Sequence, residues 1–404
     1  MAADVCKRRR LHFVPTFQSQ TMIKDQETLN LLLSTVERFV RERLIPAEQI
    51  VADTDAIPAD IVAEMRDIGL FGLTIPEQYG GAGLTMEEEV QVTLALTYTS
   101  PAFRSIMGTN NGIGSQGIVI DGTEEQKQFW LPRMASGELI GSFALTEPGA
   151  GSDASSVATS AILDGDAYVV NGTKRYITNA PEAGVFTLMA RTDPSIKGAG
   201  GVSAFVVDAR TPGIQVGKID KKMGQRGAHT ADVVFENVRV PAANLIGGRE
   251  GQGFKTAMKV LDKGRITIAA VCVGAGQRML DDALRYAQER KQFGQPIGEF
   301  QMVQAMLADC RAELLAARCM VMETARRRDN GDNVQTDASC CKLFASEMVG
   351  RVADRCVQIH GGAGYISDYA VERFYRDVRL FRIFEGTSQI QQLVIARAMM
   401  KGEK

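Results

Sequence analysis

The sequence predicts an α+β multidomain protein with an N-terminal helical domain, a middle β-barrel or sandwich and a C-terminal four-helix bundle. Three observations support this order. Hydrophobic residues recur at helical spacing up to about residue 140, at β spacing with many turns to about 248, and at helical spacing again to the end. Alternating βαβ units are absent, which argues against a Rossmann domain. We therefore place the domains at 22–140, 141–248 and 249–404.

The N-terminal domain opens with apolar residues at intervals of three and four over positions 29–40, which predicts a helix. We expect Pro46 to end this helix, because proline lacks the amide that a helix interior needs. The glycines at 80, 81 and 83 indicate a loop, and further helices are predicted over 87–96 and 124–134.

The middle region contains short β-rich runs at 168–170, 176–178, 185–189, 204–207 and 231–235. The pairs Asp164-Gly165, Asn171-Gly172 and Pro212-Gly213 are typical of turns between antiparallel strands. About one hundred residues with this pattern indicate a small barrel or sandwich. From Gly253 a long helix is predicted towards Tyr286, followed by helices over 300–328, 337–358 and 389–400, which together indicate a bundle.

Composition excludes several classes of protein. The 404 residues carry a formal net charge of −2 at pH 7, which gives no basic field for nucleic acid. No run of about 20 apolar residues is present that could cross a membrane. The seven cysteines show no CxxC pair, the three histidines have no metal-ligand spacing, and no GxSxG motif occurs. We expect a soluble protein that binds no metal and acts on a small molecule.

The first 21 residues contain a short basic run, Lys7–Arg10, before the first helical pattern. This run is open to two interpretations: the remnant of a mitochondrial targeting peptide, or an extension upstream of a natural start at Met22. We favour the second interpretation and expect residues 1–21 to be disordered.

Five short motifs follow one another along the chain: LTEPGAGSD at 145–153, KRYITN at 174–179, QERKQFG at 288–294, QIHGGAGY at 358–365 and FEGTSQIQ at 384–391. Taken singly, each has an ordinary explanation as a glycine turn, a strand or a helix end. Together and in this order, they resemble the acyl-CoA dehydrogenase family over residues 22–404. The fold of that family agrees with the order of domains predicted above.

The resemblance implies FAD as cofactor. Thr146 and Ser152 match FAD contacts, and Tyr176 and Thr178 match residues packed on the isoalloxazine, with the Thr178 hydroxyl near flavin N5. Tyr176 replaces the tryptophan common in the family, and another aromatic ring can still stack. Further matches to FAD contacts are Thr387 and Gln389, and, reaching FAD of a neighbouring subunit, Arg290, Phe293, Gln358, Gly361 and Gly362. A flavin site shared in this way implies a homotetramer built as a dimer of dimers.

Glu385 matches the catalytic glutamate that removes the α-proton of an acyl-CoA thioester while hydride leaves the β-carbon for the flavin. Burial would raise its pKa towards the operating pH. The alternative is an acid that merely satisfies the dipole of the last helix. Some family members carry the base on the first bundle helix instead, and Gly264 stands at that position here. Asp262 and Arg265 match residues at the CoA end of the substrate, and Ser152 and Gly386 are further substrate-binding candidates.

A straight or branched acyl chain of short to medium length is the default substrate. Phe103-Arg104-Ser105 resembles the Tyr-Arg-Ser of glutaryl-CoA dehydrogenases, in which the arginine faces a terminal carboxylate. Gly108 and the FEGTSQIQ ending depart from that subfamily, and Arg104 could equally be a salt-bridged helix residue.

Other proteins of the same fold remain as alternatives: an acyl-CoA oxidase, a nitroalkane-oxidising relative, which would carry aspartate at the base position, and a DNA-protecting flavoprotein, which would need a basic surface. An electron-transferring flavoprotein is the expected electron acceptor. Bacterial cytoplasm is the expected location, with the mitochondrial matrix as the alternative.

Overall fold

The N-terminal part of the protein is helical, as the computed structural model shows for the described residues 21–402. Thr85 begins one of these helices with a capping box, in which its side chain and that of Glu88 each bond the other's backbone amide. The helices span Gln26–Phe39 (α1), Ile45–Thr54 (α2), Ala59–Asp67 (α3), Met86–Leu96 (α4), Pro101–Asn111 (α5), Gln116–Asp121 (α6) and Glu124–Ala135 (α7).

Pro46 does not end a helix, so that prediction is wrong. Helix α1 gives way to a π-helical turn at Val40–Leu44, and α2 starts at Ile45 with Pro46 in its first turn. A first turn has amides without helical partners, so the amide that proline lacks is not needed there. The expected disorder of 1–21 falls outside the described residues except at Thr21, whose hydroxyl donates to Glu87.

The middle β domain is confirmed, and its seven strands form one curled sheet. The strand order is β1-β4-β2-β3-β7-β6, and β5 pairs with β4. Most neighbours are antiparallel, whereas β1 runs parallel to β4. The strands span Gly141–Ala144 (β1), Ser160–Asp164 (β2), Ala167–Thr178 (β3), Val185–Arg191 (β4), Val202–Asp208 (β5), Ile214–Val216 (β6) and Thr230–Pro241 (β7).

The turn predicted at Asn171-Gly172 is wrong, because both residues lie inside the long strand β3. The pairing of β3 with β7 shifts register at this point. A Cβ on Gly172 would lie 2.4 Å from the hydroxyl oxygen of Thr159, so a larger residue could not occupy the position without movement. The glycine therefore allows the backbone of β3 to lie close to Thr159 where the strand is irregular. Asp164-Gly165 does form the turn between β2 and β3.

The C-terminal part consists of the four predicted long helices, one shorter helix and a two-stranded hairpin, Lys291–Gln292 (β8) with Gln295–Pro296 (β9). The shorter helix was not predicted. Helix α10 packs on the others, and their apolar faces form a continuous core. The helices span Gly253–Glu289 (α8), Gln301–Asp329 (α9), Gln335–His360 (α10), Ala370–Val378 (α11) and Ser388–Lys401 (α12).

Helices α4 and α8 join the three parts. Met86 and Val90 of α4 belong to the bundle core, whereas Val92 and Leu96 belong to the N-terminal core. The start of α8 packs on the core beneath the sheet through residues such as Phe254. The three parts therefore meet around the first turns of α8. Within residues 21–402, no helix combines the length and apolarity needed to span a membrane, and no cluster of metal-ligating side chains occurs.

Candidate active site

A cavity of about 360 Å³ opens where the three parts meet. Its walls come from α5, the ends of β1 and β3, the loop after β1, the start of α8 and the turn before α12. Eight of the residues predicted to be catalytic or to bind cofactor or substrate line it: Arg104, Thr146, Ser152, Tyr176, Thr178, Arg265, Glu385 and Gly386. The fold thus brings together side chains that are separated by up to about 280 positions in the chain.

Glu385 lies in the turn that precedes α12. Its backbone φ is 51°, and that of Gly386 is 87°, so two successive residues adopt left-handed conformations. For a residue with a side chain this conformation is strained, and such strain is held in place by surrounding contacts. The Glu385 Oε2 atom is buried and has no hydrogen-bond partner within residues 21–402. One oxygen of the Glu385 carboxyl is therefore held at the cavity without a hydrogen bond from the described part of the chain.

Gly264 of α8 gives this carboxyl its room. A Cβ built on Gly264 would lie 2.6 Å from Glu385 Oε2, closer than a methyl group and a carboxylate oxygen can approach. The position matches the one that carries the base in a subset of the family. Here the glycine provides space for the carboxyl that arrives from the turn before α12.

Opposing effects act on the pKa of Glu385. Burial, the largest of them, raises the pKa of this carboxyl, while the charges of Arg104, Lys342 and Arg265 lower it, in that order. The net result is a pKa above the ordinary value for glutamate. A carboxyl with a raised pKa is better matched to accepting a proton near neutral pH.

Side chains from α10 and α12 hold this turn. Lys342 Nζ donates to the Gly386 carbonyl at 2.7 Å. Gln391 Nε2 donates to the same carbonyl at 3.1 Å and to that of Glu385 at 3.3 Å. The Thr387 side chain accepts from the Ile390 amide and so caps α12. The positive charge under the turn therefore comes from a residue outside the FEGTSQIQ motif.

The loop after β1 forms another wall of the cavity, and a buried ion pair supports it. Lys174 Nζ lies 2.7 Å from Glu147 Oε1 and 3.1 Å from the Leu145 carbonyl. Glu147 also accepts from the amides of Ala158 and Thr159. This network ties the loop carrying Thr146 and Ser152 to strand β3, which carries Tyr176 and Thr178.

This wall fits a flavin. The Tyr176 side chain is 60% exposed, and the guanidinium of Arg175 lies over its ring. Gly151 lines the cavity, and no atom lies within 4 Å of where a Cβ would stand on it. An exposed aromatic ring, hydroxyls at Thr146, Ser152 and Thr178, and a glycine backbone without a side chain together suit a flat ring and a phosphate.

The remaining candidates for FAD contacts do not line this cavity. Arg290, Gly361 and Gly362 line a second cleft, beside the stacked rings of Tyr286 and His360. Phe293 is 94% exposed on the hairpin between β8 and β9. Outside the cavity also lie Gln358 on α10, Thr387 at the cap of α12 and Gln389 on its surface.

Asp262 also lies outside the cavity, but it contacts Arg265, which lines it. Asp262 Oδ1 accepts from the Arg265 guanidinium at 2.6 Å, and Oδ2 accepts from Gln335 at 3.2 Å. Burial raises the pKa of Asp262, and the positive charge of Arg265 opposes that rise. The two residues proposed for the CoA end of the substrate thus form one charged pair.

Arg104 extends from α5 into the cavity. Within residues 21–402 its guanidinium has no ion pair and no hydrogen bond, so the alternative of a salt-bridged helix residue is wrong there. It lies over Gly108, where a Cβ would come within 2.7 Å of Cζ. Burial lowers the pKa of Arg104, while Glu385 and Glu89 raise it. The cavity therefore contains an uncommitted guanidinium.

The wall near Arg104 is more polar than the sequence indicated. Buried Glu89 accepts from the Thr267 hydroxyl at 3.0 Å, and its other oxygen lies 3.2 Å from Lys263 Nζ. These three residues line the cavity but belong to none of the five motifs. The signal that was available is the position of Glu89 on the helix predicted over 87–96, three residues from apolar Met86 on one side and Val92 on the other.

Three family models match the chain: acyl-CoA dehydrogenase N-terminal domain at residues 26–138, middle domain at 142–238 and C-terminal domain at 251–400. Probable acyl-CoA dehydrogenase YngJ of Bacillus subtilis is 43% identical over 94% of this chain and 99% of its own. The caffeyl-CoA reductase-Etf complex subunit CarC of Acetobacterium woodii is 40% identical over 92% of this chain and 98% of its own.

Among solved structures, butyryl-CoA dehydrogenase from Megasphaera elsdenii superposes with a TM-score of 0.90 at 34% identity, covering 94% of this chain and all of that one. The likeness extends over all three parts of the fold, including the elements that form the cavity. Both oxidising and reducing enzymes occur among these similar proteins. Members of the acyl-CoA dehydrogenase family are FAD-dependent oxidoreductases involved in fatty acid β-oxidation, and this chain belongs to that family.

Proposed function

We propose that this protein interconverts an acyl-CoA thioester and its trans-2-enoyl-CoA, with Glu385 as the base that removes the α-proton. One observation carries the proposal: a buried carboxyl oxygen, which has no hydrogen-bond partner within residues 21–402, lies in a cavity of which another wall fits a flavin. We favour the direction of dehydrogenation. The same residues would serve in reverse, because a base that takes the α-proton in one direction returns it in the other.

The reaction begins with the thioester in the cavity and its α-carbon at the Glu385 carboxyl. The backbone amide of Glu385 would bind the thioester oxygen and stabilise the charge that develops on it, typically by about 3 kcal/mol per donor. When bound along Thr146, Ser152, Tyr176 and Thr178, FAD supplies the hydride acceptor for the β-carbon at N5. Glu385 then holds the α-proton until the product leaves.

The CoA portion is assigned to the Asp262–Arg265 pair, with Ser152 and Gly386 at the thioester end. We further propose that Arg290, Phe293, Gln358, Gly361 and Gly362 contact FAD of a neighbouring subunit in a homotetramer, and that Thr387 and Gln389 complete the cofactor site. An electron-transferring flavoprotein is the proposed electron acceptor, which the likeness to CarC supports.

Anaerobic titration of the purified flavoprotein with butyryl, isobutyryl, isovaleryl, octanoyl and glutaryl thioesters tests this proposal. At least one thioester should bleach the flavin absorbance of the parent protein, and Glu385→Gln should stay yellow with the same thioester. A yellow parent protein that no acyl-CoA bleaches would contradict the proposed reaction. Bleaching of the Glu385→Gln protein at the parental rate would contradict the role of Glu385.

A second candidate substrate is a thioester whose acyl chain ends in a carboxylate. The observation that favours it is the uncommitted guanidinium of Arg104. An arginine left unpaired in a confined site is costly, and a carboxylate would satisfy it with two hydrogen bonds. The default remains a straight or branched monocarboxylic chain of short to medium length.

A further inference from the structure

Lys342 is a fully buried lysine on α10, at 0% exposure. Its Nζ donates to the carbonyl of Gly386, and within residues 21–402 no ion pair joins it to a carboxylate. An ammonium group that leaves water for a single neutral acceptor loses more free energy of hydration than the hydrogen bond returns. Such an arrangement is unfavourable for folding alone, so its position beneath the cavity calls for a functional explanation.

The carbonyl that Lys342 binds belongs to the strained turn of the site. Glu385 and Gly386 both have positive φ angles, at 51° and 87°. Gln391 is the only other side chain within residues 21–402 that donates to the Gly386 carbonyl. Lys342 and Gln391 approach the turn from two different helices, so together they fix the direction in which the Glu385 side chain leaves the backbone.

The charge of Lys342 also acts on the Glu385 carboxyl. The ionisable groups around Lys342 are Cys272 and Arg265 of α8, Glu347 of α10 and Glu385 itself. Glu347 already pairs with Arg382 at 2.6 Å, and Arg265 pairs with Asp262 at 2.6 Å. Glu385 is therefore the carboxyl in this group that has no ion-pair partner.

The effects on the two pKa values are mutual. Burial lowers the pKa of Lys342 to about 8, and Cys272 first and Glu385 second oppose that fall. In return, the Lys342 charge lowers the pKa of Glu385 against its burial, with an effect smaller than that of Arg104 and larger than that of Arg265. The ammonium is thus charged at neutral pH, where the carboxyl has to be ionised in order to accept a proton.

We propose that Lys342 is a positioning residue for the base: its Nζ holds the Glu385–Gly386 turn through the Gly386 carbonyl, and its positive charge favours the ionised Glu385 carboxyl. The inference rests on the proposed role of Glu385. Proton abstraction would then depend on a lysine that touches neither substrate nor cofactor.

Three variants separate the charge from the hydrogen bond. Lys342→Gln keeps a donor for the Gly386 carbonyl and removes the charge, Lys342→Met removes both, and Lys342→Arg keeps the charge as the conservative control. The measurement is the single-turnover rate of flavin bleaching between pH 5.5 and 9, using a thioester that bleaches the parent, with bound FAD quantified for each protein. Because the rate falls once Glu385 is protonated, the acid limb of this profile reports the state of the base.

In Lys342→Gln we expect the acid limb to move up by about one pH unit, the usual scale of a nearby opposite charge. The rate should therefore be roughly tenfold lower on the acid side and should recover at high pH. Lys342→Met should show the same shift with a lower plateau, and Lys342→Arg should keep the parental limb. Bound FAD should stay at the parental level in all three proteins.

An acid limb at the parental pH in Lys342→Gln would overturn the proposal, and so would an equal loss of rate at every pH in both neutral variants. If Lys342→Gln does not fold, the same comparison between Lys342→Met and Lys342→Arg decides the matter. Failure of the underlying function gives a different result: Glu385→Gln would then bleach at the parental rate, whatever happens at Lys342.

Discussion

The two fully buried lysines within residues 21–402 support different walls of the cavity, and they are satisfied in different ways. Lys174, under the flavin-binding wall, has the Glu147 carboxylate at 2.7 Å, and that carboxylate also accepts two backbone amides. Lys342, under the base, has one neutral carbonyl. Both lysines hold a loop through a backbone oxygen, but only one of them has its charge neutralised locally.

The difference indicates what each side contributes. Two opposite charges in contact largely cancel each other's electrostatic effect on more distant groups. The Lys174–Glu147 pair therefore acts mainly by fixing the shape of the loop that is proposed to bind the cofactor. A charge without a partner acts over a longer distance, especially where water is excluded. The loop after β1 therefore contributes mainly through its shape, whereas the Glu385–Gly386 turn contributes through both its shape and the positive charge beside it.

The largest effect is expected when the paired lysine is removed. Lys174→Met leaves the Glu147 charge buried and unpaired, which should lower the free energy of unfolding by about 3–5 kcal/mol and weaken FAD retention. Denaturant unfolding with and without added FAD measures both effects. The double variant Lys174→Met/Glu147→Gln removes the unpaired charge and keeps a side-chain oxygen as an acceptor for the loop amides, so it should recover part of the stability. A double variant as unstable as Lys174→Met alone would contradict this account of the loop.

The next effect concerns the position of the base. In Gly264→Ala the added methyl would stand 2.6 Å from Glu385 Oε2 and displace the carboxyl. We expect the rate of flavin bleaching to fall roughly 10- to 100-fold, because a base displaced by about 1 Å loses alignment with the α-proton. The matched control is Gly350→Ala on α10, where the nearest atom outside the local helix, Arg382 Nη1, would lie 3.9 Å from the added methyl. Equal rates in the two variants would contradict the placement of Glu385.

A smaller effect is expected from Arg104, the arginine in the cavity that could pair with a carboxylate at the end of the acyl chain. If the substrate ends in a carboxylate, Arg104→Met should lower kcat/KM for glutaryl-CoA roughly 30-fold, which corresponds to about 2 kcal/mol of lost transition-state stabilisation. Turnover of butyryl-CoA should stay nearly unchanged. The measurement is the ratio of the two kcat/KM values in parent and variant. An unchanged ratio would remove the dicarboxylyl candidate and leave the monocarboxylic default.

The smallest effect concerns the cap of α12. Thr387→Ala removes the acceptor for the Ile390 amide and should cost about 1 kcal/mol of stability. Thermal unfolding of the FAD-free protein isolates this contribution from any contact with the cofactor. Thr387→Ser, which keeps the hydroxyl, should retain most of the parental stability; a serine variant as unstable as the alanine variant would rule out capping as the source of the effect.

The order of the helical and β regions and several residues that meet in the cavity could be predicted from the sequence. The ends of individual helices and strands were predicted less well. Glu385, Thr146, Ser152, Tyr176 and Thr178 were selected from motifs, and the fold places all of them on the walls of one cavity. Their individual roles stay predictions. Motifs succeed here because backbone conformations beside a cofactor restrict which residues can occupy them.

The residues that the sequence did not predict lie on helices, where no motif surrounds them. Lys342 falls at helical spacing between Ala338 and Ala345 on the buried face of α10, so a charge at an apolar position was the available signal. Its partner, the Gly386 carbonyl, is 44 residues away. The errors at Pro46 and Asn171-Gly172 are of another kind. Proline can follow a helix or lie in the first turn of one, and an Asn-Gly pair can form a turn or an irregularity within a strand; in both places the protein has the second arrangement.

The central claim is that Glu385 removes the α-proton. Its most direct test is the exchange of the α-protons of a bound, unreactive acyl thioester with deuterium from solvent, followed by NMR in the parent and in Glu385→Gln, each with a full complement of FAD. The account predicts exchange with the parent and exchange slower by about 10²- to 10⁴-fold with the variant. Equal exchange in both proteins would contradict the claim and place the base elsewhere in the cavity.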